Sequence, residues 1–116
     1  MSRYVTGLIG ERKAERWLVR RGMRCVARRY RAANGEIDLV MLDGDTVVFV
    51  EVKSRPYGAQ GAGIQAVTRD KRRRMTGAAT MFLASRGWTG KPARFDVVEI
   101  SAEGVLHVPG AFVAMK

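Results

Sequence analysis

Asp38 stands in the middle of the apolar run GEIDLVML, and Glu51 in a second run, TVVFVEVKS, with Lys53 two residues further on. Two carboxylates held side by side repel, and one has its pKa raised unless a cation neutralises the pair. Lys53 can do part of this as an ion pair. A divalent metal does it better, because Mg²⁺ takes a few carboxylate oxygens and keeps several waters. Such a metal activates water and offsets the charge of a phosphodiester under attack. A lysine beside it orients the nucleophile or stabilises the added negative charge. Asp, then Glu-x-Lys, is therefore a phosphodiesterase constellation with Mg²⁺ or Mn²⁺ as cofactor. The same residues also read as a polar sheet face of Glu36–Lys53 and Asp38–Lys53 ion pairs.

What must position these groups is a hairpin. The two runs, residues 36–42 and 47–54, are joined through DGDT, a strong turn signal. If Gly44-Asp45 is the two-residue loop, facing residues have numbers summing to 89, which sets Asp38 opposite Glu51 and Glu36 opposite Lys53. Opposed residues point to the same side of a sheet, so all four share one face. Sliding the turn back by one residue keeps Asp38 and Glu51 on that face as diagonal neighbours. Ile37, Leu39, Met41, Val48, Val50 and Val52 make the other face, an apolar surface for a helix to cover.

Around the hairpin, residues 6–21 read as a helix closed by Gly22, with Tyr4, Leu8, Ala14 and Leu18 on one side. Glu11 sits within that apolar stripe, either as a salt bridge at its edge or as a carboxylate aimed into the domain. Residues 23–31 form a half-exposed or edge strand with its arginines outward. Residues 55–63, RPYGAQGAG, read as a mobile loop. A second helix over residues 65–85 buries Val67, Met75, Ala78, Ala79 and Phe82 and stops at Gly87. Residues 93–100 are a fourth strand, followed by a short fifth with an apolar tail. The order α-β-β-β-α-β gives an α/β fold, a mixed sheet with flanking helices in one domain over residues 1–116.

The balance of 21 Lys+Arg against 11 Asp+Glu, a net charge of +10, favours polyanionic partners, nucleic acid first and anionic membrane second. RDKRRR, residues 69–74, places five cations in about a turn and a half of helix. Lys71, Arg72, Arg73 and Arg74 are the expected phosphate contacts. Lys71, one turn before Met75, lies on the inward stripe and approaches the site itself, and Arg28, Arg29 and Arg31 extend the basic surface. Gln65 either orients a water or starts the helix. The single cysteine, Cys25, excludes an internal disulfide and reads as a small half-buried apolar residue. Trp17 and Trp88 read as core or edge packing, His107 as structural, and Asp96 as a partner for Arg94 or a base of the second helix. Charges interrupt the N-terminus, and no apolar run approaches the roughly 20 residues that span a bilayer. A soluble, cytoplasmic protein is expected.

The segments GERKAERWL, NGEIDLV, FVEVKSR, the lysine of VTRDKRRRM and RFDVVEI, in order from residue 10 to residue 100, resemble the YraN family of uncharacterised bacterial predicted nucleases. That family is similar to archaeal Holliday junction resolvases within the PD-(D/E)XK superfamily. The resemblance implies a restriction-endonuclease-like core, Asp38 and Glu51 as metal ligands, Lys53 as catalytic lysine and Glu11 as a first-helix glutamate directed at the site. It implies a DNA substrate, with branched or damaged forms among the candidates, and a homodimer, because two-strand cleavage calls for two sites. GEID stands where Pro-Asp would be expected, so the motif's first half is partial. The other reading is a nucleic-acid-binding module that keeps the basic helix and uses Asp38, Glu51 and Lys53 as an ionic cluster.

Overall fold

The DGDT turn closes a hairpin in the first of the two registers: Asp43 faces Thr46, Leu42 faces Val47 and Leu39 faces Val50. In the computed structural model, which describes residues 3–55 and 67–115 and side chains from residue 7 onward, this hairpin is the centre of the molecule. Its strands are β2 (Gly35–Asp43) and β3 (Thr46–Arg55). Before them come α1 (Arg3–Arg20) and β1 (Arg24–Ala32); after them α2 (Arg69–Arg86), β4 (Ala93–Ser101) and β5 (Gly104–Phe112). The five strands lie in chain order, β1-β2-β3-β4-β5. Neighbours are antiparallel except β3 and β4, which run parallel. A parallel pair needs a long crossover, and α2 lies within it. The mixed sheet with flanking helices is thus the expected fold class, with β1 at the sheet edge and β5 a full nine-residue strand.

Local chemistry sets the ends of α2. Thr68 Oγ1 accepts the Lys71 N–H at 3.1 Å as N-cap. Gly87, at φ 69°, takes the left-handed turn, and the N–H of Trp88 returns to Leu83 O. The helix therefore starts four residues later than the sequence suggests. Val67 joins the core from ahead of the cap, and Gln65 lies outside the described residues, as do residues 56–63 of the expected loop.

Alternation in the central strands sends side chains to both faces, and both are covered. Leu39, Met41, Val48 and Val50 pack with Ala14 and Leu18 of α1. Val40, Leu42, Val47 and Phe49 pack with Met75, Ala78, Ala79 and Phe82 of α2. Ile37 departs from the expected division and joins the α2 side. The carboxylate-bearing face is therefore not polar throughout: near the turn it is apolar core, and only its open end carries charge. At that end Gly35 lets α2 come close, since a Cβ there would meet the Arg74 carbonyl oxygen at 2.1 Å. No helix among the described residues is long and apolar enough to cross a membrane.

Candidate functional site

The β2–β3 ladder ends at Leu39 and Val50, one residue short of Asp38 and Glu51. Beyond it β2 stays with β1, pairing through Ile37, Glu36 and Gly35, while β3 continues along β4 through Lys53 to Arg55. The sheet thus opens between its two carboxylates. Asp38 Oδ2 accepts the peptide N–H of Val52 at 2.7 Å, replacing a ladder bond with a side chain. Because the strands have parted, the expected Glu36–Lys53 pair does not form: Glu36 pairs with Arg31 at 3.4 Å, and Lys53 with Glu51 at 3.3 Å.

Glu51 is 2% exposed, and both lysines approach its Oε1. Lys53 reaches it along the same strand. Lys71 reaches it from the first turn of α2, on the inward stripe below Met75, and donates a hydrogen bond to it. Burial pushes the Asp38 carboxyl up to about 8, the Glu51 charge adds to this, and the bond from Val52 opposes it. Burial acts against the Lys71 ammonium, but the charge and hydrogen bond of Glu51 outweigh it and raise the pKa. In the parallel ladder Lys53 stands beside Glu99, another buried carboxylate.

Glu11 takes the edge-pairing option: Arg29 Nε and Nη2 each donate to its carboxylate at 3.0 Å. Burial still raises its pKa, partly offset by Arg29, with Glu36 and Glu51 near enough to push the same way. Arg29 is not outward as expected. Its backbone is left-handed, φ 48°, an uncommon state for a residue with a Cβ, and its side chain turns in toward α1.

Asp38, Glu51, Lys71 and Arg74 line one cleft of about 440 Å³, with Arg31 and Glu36 also on its wall. Lys53 adjoins it through Glu51. Glu11 is not among the lining residues. The basic helix divides. Lys71 enters the site, and Arg74 stands at the cleft, bound to Asp70 at 3.3 Å. Arg73 is exposed outside the cleft. Arg72 turns away: its Nε donates to Val67 O at 3.0 Å and its guanidinium lies 5.2 Å from the Phe112 ring centroid. Among the described residues no group of three or more His, Cys, Asp or Glu side chains is placed to hold a metal ion. Asp38 and Glu51 bring two carboxylates.

A second ionic cluster lies beneath α1. Asp96, fully buried, accepts from Arg94 Nε at 3.0 Å and from the Gly110 N–H at 2.9 Å, and lies 2.8 Å from His107 Nε2. His107 meets Trp17 edge-on, 5.4 Å between ring centroids. The RFD spacing signals the Arg94 contact; the irregularity in the β4–β5 ladder between Phe95 and Val97, which brackets Asp96, is announced by no residue pattern.

The model of the uncharacterised protein family UPF0102 matches residues 10–100. A UPF0102 protein of Ectopseudomonas mendocina is 46% identical over 103 residues, 88% of this chain and 87% of that protein. One from Anaeromyxobacter dehalogenans is 43% identical over 114 residues, 95% and 85% of the two chains. One from Symbiobacterium thermophilum is 46% identical over 100 residues, 86% and 84%. Among solved structures, that of Pyrococcus furiosus SfsA in complex with Ca²⁺ matches 91% of this chain and 63% of that one. At 13% identity and a TM-score of 0.37 the likeness carries no argument about site or activity. The family match spans α1 to β4 and takes in every charged residue of the cleft, and the chain belongs to the uncharacterised protein family UPF0102.

Proposed function

We propose that this protein is a metal-dependent endonuclease that hydrolyses DNA phosphodiester bonds, with branched or damaged duplexes as substrates. The observation that carries the reading is the meeting of Asp38 and Glu51 where β2 and β3 part, on the wall of a cleft that also holds Lys71, Arg31 and Arg74. The donor set fits a hard divalent cation. Both lysines approach Glu51 Oε1 and Asp38 gives Oδ2 to Val52, which leaves Asp38 Oδ1 and Glu51 Oε2 to hold the ion. Mg²⁺ binds through one or two carboxylates and keeps several waters, so two oxygens suffice.

Mg²⁺ or Mn²⁺, when bound, lowers the pKa of water and offsets the charge of the phosphodiester. The chain's own residues do the rest. Lys53, fixed by Glu51, orients the nucleophile and meets the negative charge that builds up on the phosphate. Lys71 neutralises Glu51 from the other side, while Arg31 and Arg74 attract the phosphate backbone without reading sequence. Glu11 acts at one remove, adding negative potential behind the carboxylate pair while Arg29 holds it. A homodimer would present two such sites to the two strands.

A specific feature favours a second reading. Glu51 already has two ammonium partners, so Asp38, Glu51, Lys53 and Lys71 can form a closed ionic cluster in a nucleic-acid-binding module without catalysis. One experiment separates the two: titration calorimetry of Mn²⁺ into wild type and Asp38→Ala, alongside cleavage of a four-way DNA junction. Binding and cutting by wild type, both lost in Asp38→Ala, are expected. Wild type that neither takes up Mn²⁺ nor cuts leaves the binding module standing.

A further inference from the structure

The charge is unevenly distributed, and most of it is not at the cleft. Residues 12–31 hold nine arginines and lysines against a single glutamate. Eight of the nine cations are exposed. The glutamate, Glu15, is taken: Arg28 grips it with Nε at 2.7 Å and Nη2 at 2.8 Å. That bidentate pair ties the edge strand β1 to α1. Beside it runs a groove of about 320 Å³ lined by Arg12, Glu15, Arg16 and Arg28. Arg12 and Arg16, one helical turn apart, have no ion pair among the described residues. The carboxylate that would repel an anion is neutralised, and two fork-shaped donors are unspent.

The groove and the cleft flank the same strand, β1, on opposite faces of the sheet. Arg28 lines the groove and Arg31 lines the cleft, three residues apart on a strand with no partner on its outer side among the described residues. At about 3.3 Å per residue their backbones are roughly 10 Å apart, and α1 and α2 cover opposite faces of the sheet, so the edge of β1 lies between groove and cleft. We propose that the α1–β1 groove is a second nucleic-acid site, in which Arg12 and Arg16 take backbone phosphates across the β1 edge from the cleft. DNA then crosses the bare edge of β1 rather than lying along α2 alone. Planar guanidinium forks suit phosphate oxygens bidentately, and a groove built of them reads backbone, not bases. The site rests on the nucleic-acid reading of the cleft for the identity of its ligand, but needs neither metal nor catalysis.

The test is fluorescence anisotropy of a labelled duplex of about 30 base pairs in EDTA, where nothing can be cut, with affinity followed from about 50 to about 200 mM salt. The probes are wild type, Arg12→Gln/Arg16→Gln, the rescue Arg12→Lys/Arg16→Lys, and Lys13→Gln/Lys91→Gln, which removes the same charge outside the groove. Losing two phosphate contacts lowers the slope of log affinity against log salt by about 1.8. That corresponds to roughly ten-fold less weakening over this salt range. The glutamine groove variant is expected to show that loss, the lysine variant to recover most of it, and the control to keep the wild-type slope. Equal slopes for the groove and control variants overturn the proposal, as does wild type that binds no duplex. So does a groove variant that loses binding to phosphatidylglycerol vesicles while keeping its DNA slope. A groove effect without any cleavage in Mn²⁺ sinks the nuclease reading alone; cleavage with an unaltered groove slope sinks the groove alone.

Discussion

Asp38 and Val52 are joined by a bond that belongs to neither strand's ladder: the carboxylate takes a peptide N–H at 2.7 Å, just past the last β2–β3 pair. A sheet that opens usually leaves backbone donors unpaired, which is costly when they are buried. Here a side chain supplies the missing acceptor, so the sheet splits without an orphaned N–H at Val52. The same bond fixes Asp38 against Glu51. The opening of the cleft and the placing of its carboxylates are one structural event.

Asp38 makes stability depend on pH. Its carboxyl is pushed from the ordinary 3.8 to about 8, by burial first and Glu51 second. The folded state therefore holds a proton that the unfolded chain releases. Stability from this source is complete below 3.8 and is lost as pH rises through about 8. Asp38→Asn keeps an acceptor for Val52 and cannot ionise. Relative to wild type, the variant is expected to gain stability steadily from about pH 5 to about pH 9 in urea denaturation without divalent ions. Parallel curves for the two proteins would mean that Asp38 is already ionised when folded.

Much of this was legible in the sequence, and what was not has a physical cause. The two-residue turn fixes the register from Asp43 to Leu39, so the approach of Asp38 to Glu51 follows from counting. Counting fails one residue later, because nothing in GEID says that the strands part there, and the partners of Glu36 and Lys53 change with them. Arg29 gives no sign of its left-handed backbone. Arg72 looks like Arg73 and Arg74 in a run of cations, yet the neighbouring Phe112, forty residues away in sequence, draws it off the surface. Tertiary packing decided what local pattern left equal.

Glu51 and Lys71 should show strong energetic coupling. Glu51→Gln leaves two ammoniums facing an amide, and Lys71→Met leaves the carboxylate to Lys53 alone. Lys71 is about a third exposed, so water screens part of the attraction. Each single change is expected to cost about 2 kcal/mol, and the double change less than the sum by about 1 kcal/mol. A double-mutant cycle in urea measures this. Additive costs would place Lys71 outside the cluster in solution.

Arg29 allows its backbone and its ion pair to be separated. Both Arg29→Ala and Arg29→Gly lose the contact with Glu11, at an expected cost of about 1–2 kcal/mol. At an ordinary strand position alanine is the better replacement. At φ 48° the order reverses, and the glycine variant is expected to be the more stable by about 0.5–1 kcal/mol. Equilibrium denaturation of the pair decides it, and an alanine variant at least as stable would remove the strain.

Two glycines look alike in what a methyl group would strike, and differ in whether the obstacle can move. At Gly10 a Cβ would meet Ser54 Oγ at 2.0 Å, the end of a side chain that rotates about one bond. At Gly35 it would meet the carbonyl oxygen of Arg74 at 2.1 Å and its carbon at 2.7 Å, and a helix backbone cannot turn aside. Gly10→Ala is expected to cost under about 1 kcal/mol, and Gly35→Ala about 3 kcal/mol. The second substitution also has a consequence at the site. Moving the first turns of α2 off β2 draws Lys71 from Glu51 and widens the cleft between Arg31 and Arg74. Gly35→Ala should therefore alter Mn²⁺ uptake in calorimetry under conditions where it is still folded, while Gly10→Ala leaves it unchanged. Equal effects of the two substitutions on stability and on Mn²⁺ would show that the contact of β2 with α2 does not hold the cleft in shape.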